Sequence, residues 1–114
     1  MPTQMNWAQL AQTTGSGATA ALVYGPVPTG SQVSIAAASA WNPVGAASNA
    51  VVDLFVTPSG STSAADGTHV DRVSVPPGAA LSLVNAINQK LTSGMSLYAI
   101  TNGATLTISG AIAS

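Results

Sequence analysis

One short stretch of this sequence gathers groups that could do chemistry. In Asp66-Gly-Thr-His69-Val-Asp71 two carboxylates and the single imidazole fall within six residues. Three such donors meet the minimum for a zinc or calcium site, but no HExxH pair, EF-hand spacing or second donor cluster accompanies them. The same His69 could act as a general base, oriented by Asp71 or Asp53, for one of fourteen serines. With so many serines the match arises by chance, and no GxSxG elbow supports it. Asp53 and Asp71 could form a glycosidase acid pair, yet Asp53 sits in an apolar run where a polar contact is the simpler task. Gly15-Ser-Gly17, with Ala20, imitates part of a GxGxxG loop but follows no strand and reads as flexible linker. The expectation for 66–71 is an exposed loop leading into a strand, with Asp66-Gly67 as turn residues and Asp71 available to pair with Arg72 of another strand or subunit. No catalytic, metal-binding or cofactor-binding residue is assigned, and a non-enzymatic protein is expected.

Composition narrows the classes further. The 114 residues are 46% hydrophobic but carry five charged side chains, Asp53, Asp66, Asp71, Arg72 and Lys90, for a net charge of -1. An average domain of this length carries roughly 28, about 25% of its residues. Two cations cannot supply the basic footprint of a nucleic-acid binder. The absence of Cys removes disulfides, thiolate metal sites and thiol redox chemistry together. Neither a signal peptide nor a membrane span is expected, because MPTQMNWAQL has no cationic or apolar region of the required kind and no run of about 18 apolar residues follows. A soluble protein without membrane, nucleic-acid or small-molecule partners is the expectation.

For this mass a folded chain exposes on the order of 5,700 Å², so about one charge serves each 1,100 Å². Solitary domains usually carry about 25–35% ionic residues on their surface. Ser, Thr, Asn, Gln and Ala take their place here, which keeps a surface wettable but gives little repulsion between molecules. Much of the outer face is therefore expected to be covered by other subunits.

The elements that must position these groups read as follows. Residues 11 to 21, AQTTGSGATAA, are linker-like and divide an N-terminal arm and linker (1–21) from a body (22–114). Within the arm, Met5, Trp7 and Leu10 are candidate assembly contacts, Trp7 and Leu10 docking on a neighbouring subunit, since an aromatic in a polar tail is a low-entropy anchor. From Leu22 on, Pro and Gly turns recur about every 8–15 residues in the manner of an all-β domain. Strands are expected from Leu22 to Tyr24, from Val33 to near Trp41, from Ala50 to Thr57 and from Val70 to Val75, with a loop from Ser59 to Gly67. The stretch Ala80–Leu91 fits helix and strand alike; a strand over Ala80–Asn85 and a helical turn over Ile87–Leu91 suit the β rhythm. Leu97–Thr101 and Ala104–Ile112 read as a hairpin across Asn102-Gly103. Trp41, the fourth candidate contact, is either a core aromatic at the end of a sandwich or a subunit contact. The fold class expected is an antiparallel β-sandwich, jelly-roll-like, with a flexible N-terminal arm.

The order of turns and strands resembles a group of small tailed-bacteriophage virion proteins over about four fifths of the chain. The likeness rests on the Pro28-Thr-Gly30 turn, the strand running into Val56-Thr-Pro-Ser-Gly60, Val75-Pro-Pro-Gly78, Leu91-Thr-Ser-Gly94 leading into Leu97-Tyr-Ala99, and Leu106-Thr-Ile-Ser-Gly110. It departs at Thr68–Arg72, which is more polar than the aromatic strand expected there. The resemblance implies a non-enzymatic capsid decoration or cement subunit. Such a protein is made in the host cytoplasm, forms homotrimers and binds between copies of the major capsid protein on the capsid exterior. A tail, fibre or baseplate component with a host-binding or adaptor role is the alternative. Neither implies a cofactor.

Overall fold

Apolar alternation punctuated by proline and glycine turns produces nine strands in the computed structural model, which describes residues 5–15, 19–61, 64 and 68–113. They are β1 (Met5–Thr14), β2 (Ala21–Tyr24), β3 (Gln32–Trp41), β4 (Ala50–Thr57), β5 (His69–Val75), β6 (Ala80–Ser82), β7 (Lys90–Leu91), β8 (Ser96–Ile100) and β9 (Thr105–Ala113). A 3-10 turn, Val84–Ala86, lies between β6 and β7. All pairings are antiparallel. One sheet runs β1-β9-β3-β6, with β7 on the same side of β3 as β6 but at its other end; the second runs β2-β8-β4-β5. Strands β4 and β5 are the one consecutive pair that bond each other, so most connections cross between layers. The result is the expected all-β antiparallel sandwich.

Both sheets turn their apolar residues inward. Val33, Ile35, Leu106 and Ile108 of the first sheet and Val52, Leu54, Leu97 and Ala99 of the second are buried in one cluster, completed by Leu83 and Leu91. Each such Leu or Ile contributes about 1.5–3 kcal/mol by leaving water. A bulge at Ala36 shifts the parity of β3, so that Val33 and Ile35 point inward before it and Ala38 and Ala40 after it. Gly110 of β9 lies opposite Ile35, and a Cβ there would overlap the Ser34 carbonyl oxygen. That glycine is a condition of the β3–β9 approach.

Four sequence expectations are corrected. Residues Met5–Thr14 are not an arm but a ten-residue strand laid along β9, from Met5 opposite Ala113 to Thr14 opposite Thr105. Their ladder partner is about a hundred positions away, and a bulge at Leu10 breaks the alternation that would have announced a strand. Gly15 is held rather than loose, its N–H donating to Thr101 Oγ1 at 2.6 Å and its carbonyl accepting from Gly103 N–H at 2.6 Å. Asn102-Gly103 forms a tight turn with both φ angles positive, closed by Ala104 N–H to the Thr101 carbonyl, but it is no hairpin. It is a corner: β8 pairs with β2 and β4, whereas β9 pairs with β1 and β3. Lastly, the helical turn falls at Val84–Ala86 rather than Ile87–Leu91, because Leu83 and Ala86, three residues apart, are both fully buried, while Leu91 joins β3 as a strand.

Candidate functional site

Asp53 and Arg72 are cross-strand neighbours on β4 and β5, and Phe55 lies opposite His69 one step further along. This register aims all four at the outer face of the second sheet. The Asp53 carboxylate is buried, and its Oδ1 accepts from His69 Nε2 at 2.7 Å and from Arg72 Nε at 2.6 Å. The His69 ring also tilts against Phe55, with centroids 5.0 Å apart. A buried carboxylate that accepts two charge-assisted bonds is held in one rotamer. His69 and Asp53 thus supply the base and orienter of a hydrolytic constellation, but among the described residues no serine or threonine hydroxyl bonds to the ring. The geometry is that of a clasp joining β4 to β5.

Asp71 goes elsewhere. Its spacing of two from His69 would put both on one face of a regular strand, but the register slips between Leu54 and Phe55, leaving Val70 as the extra residue. His69 therefore faces outward while Asp71, buried, faces the edge of the interior. Its carboxylate accepts from Arg72 N–H at 2.8 Å, from Asn85 N–H at 3.1 Å and from Asn85 Nδ2 at 3.2 Å, tying β5 to the 3-10 turn. Arg72 meets Asp71 through its backbone and Asp53 through its side chain. Asp66 lies outside the described residues, and among those described no three His, Cys, Asp or Glu side chains are grouped to hold a metal ion.

The candidate contacts scatter. Trp7 faces outward on β1, 70% exposed, opposite Ala111. Leu10, expected to dock on a neighbour, instead packs partly buried against the chain's own core. The Met5 side chain lies outside the described residues. Trp41 is 42% exposed at the end of β3, between Thr105 and Ala80, so the core reading of this residue is overturned. Sequence reasoning missed its companions. Val44 at 77% exposure, Val84 at 64% and the exposed Leu81 and Ile87 follow one another around the β6 edge of the first sheet, Val44 lying against Gly78 at the turn into β6. Hydrophobic residues in short turns give no periodic signal.

Missed too was Asn42, buried, whose Nδ2 donates to the Ser48 carbonyl at 3.0 Å and the Val75 carbonyl at 2.9 Å. With its backbone bonded to Ala79 and Gly78, it holds the turn after Trp41 against the one that follows β5. On the second sheet an open groove of about 390 Å³ is lined by Leu22, Pro26 and Tyr98 together with Gly60, Ser61 and Gly94. Of the described charges, Asp53 and Asp71 are buried, while Arg72 and Lys90 stay exposed, Arg72 bonding Asp53 and Lys90 donating to Ser34 Oγ at 2.9 Å. No described helix is long and apolar enough to cross a membrane. No protein-family model matches the chain, and no curated protein or solved structure is significantly similar to it.

Proposed function

We propose that this chain is a non-enzymatic structural subunit of a bacteriophage particle, most plainly a capsid decoration protein that stabilises the head by binding between coat subunits. One observation carries the reading: a surface of 5849 Å² with almost no ionic dressing that leaves Trp7, Trp41, Val44 and Val84 exposed. Large apolar side chains on an uncharged background mark surface that gains by being covered, and such contacts are little screened by salt. Repetition by particle symmetry multiplies a modest interface many times. The turn motifs that resemble small virion proteins support a particle setting.

The test is mechanical. Particles assembled without this subunit are expected to release their genome at a lower temperature than complete ones, and re-addition of the purified chain restores the threshold. Equal thresholds with and without it overturn the cement role. A second reading, a tail, fibre or baseplate component, draws support from the groove beside the Pro58–Ser61 turn, because loop-lined grooves commonly carry recognition. Copy number per particle separates them: hundreds for a head protein, tens or fewer for a tail component.

A further inference from the structure

An unpaired strand edge offers a row of backbone N–H and C=O groups, and proteins defend such edges with shortness, charge or proline. Three of this sandwich's four edges are defended. β6 and β7 are three and two residues long, β2 is four, and β5 carries His69, Asp71 and Arg72. β1 is ten residues long with neither charge nor proline, and among the described residues it has a strand, β9, on one side alone.

We infer that β1 is a self-pairing edge, which joins β1 of a second copy antiparallel about a two-fold axis and makes one continuous sheet of the two first sheets. Two features select this occupant. Identical uncharged strands meet without the cost of desolvating or repelling a charged side chain, such as the exposed Arg72 of the β5 edge. The bulge also sets a self-complementary register. Relative to β9, Leu10 is the extra residue, and both Leu10 and Ala11 pack toward the core. Trp7, Gln9, Gln12 and Thr14 therefore face outward, and Ala8, Leu10, Ala11 and Thr13 face the other way. If Trp7 pairs with Thr14 of the second copy, then Ala8 meets Thr13, Gln9 meets Gln12 and Leu10 meets Ala11. Every pair over residues 7–14 then shares a face. In this register two Gln9–Gln12 contacts flank the axis on the outer face, and the two Trp7 rings extend the uncharged surface at either end. Two-fold closure gives a dimer, not the trimer that the virion-protein resemblance implies.

This inference rests on the assembly reading only in taking the chain as one that self-associates, and its test is separate from the particle experiment. In sedimentation velocity the wild-type chain is expected to run as a dimer. The double variant Gln9→Lys/Gln12→Lys, which sets like charges opposite each other twice, should dissociate at about tenfold higher concentration. At concentrations where both proteins are monomers its melting temperature should equal the wild type's, since both side chains are exposed. Mixing it with Gln9→Glu/Gln12→Glu should restore a dimer. Because the chain has no cysteine, Gln9→Cys/Gln12→Cys should give a disulfide-linked dimer on mild oxidation. Association unaffected by the lysines, a trimer, or no cross-link overturns the edge pairing while leaving the cement role intact. A wild-type monomer that still raises the particle's release temperature does the same. A dimer that disregards the particle instead overturns the cement role alone.

Discussion

At the scale of single residues, buried polar groups hold the loops in place. Asn42 satisfies two carbonyls that would otherwise face a dry turn. Asn42→Ala removes both bonds and is expected to cost about 1–3 kcal/mol, read from the urea midpoint. Asp53 is the second such residue. Asp53→Asn keeps the shape but weakens the acceptor shared by His69 and Arg72, and should cost about 1–2 kcal/mol in the same measurement, with faster amide exchange along β5. A hydrolase built on His69 and Asp53 would show instead as lost turnover with intact stability. Asp53 was legible from sequence as a polar contact inside an apolar strand. Its partners were not, because a cross-strand register joins residues sixteen and nineteen positions apart.

At the scale of elements, local signals and ladder partners divide the information. Ala50–Thr57 is a strand by composition alone, and its bounds agree with expectation to the residue. The Asn102-Gly103 turn was equally visible, since positive φ at both positions is a local demand. Whether such a turn closes a hairpin or rounds a corner depends on where the next strand finds its ladder, and β9 finds β3 and β1. Gly110 is the local mark of that distant choice. Gly110→Ala drives a methyl into the Ser34 carbonyl and is expected to cost about 1–3 kcal/mol. Hydrogen exchange should show the loss concentrated in β3 and β9, with the β4–β5 pair protected longer.

At the scale of the whole molecule, folding buries Asp53 and Asp71 while leaving tryptophan area on a sparsely charged surface. Trp7, 70% exposed, should be nearly neutral for stability when changed to Ala, within about 0.5 kcal/mol, yet should weaken attachment to the particle. Trp41 covers more of itself. Trp41→Ala is expected to cost about 1–2 kcal/mol, less than the roughly 3–5 kcal/mol of a fully buried tryptophan, and also to reduce occupancy on the shell. A full core penalty with unchanged occupancy would remove Trp41 from the shell contact. Chemical denaturation beside a binding titration against shells separates these outcomes.

Composition and turn chemistry decided, by themselves, that this chain builds an antiparallel β structure with a sparsely charged exterior, because strand propensity, turn dihedrals and the scarcity of ionic groups are properties of residues and their near neighbours. Tertiary structure alone decided that the first ten described residues join a sheet, that Asp71 parts from His69 at a bulge, and that Leu10 turns inward while both tryptophans stay out. Each of those outcomes is a register between strands far apart in the chain, and a register is settled by which faces can be buried together.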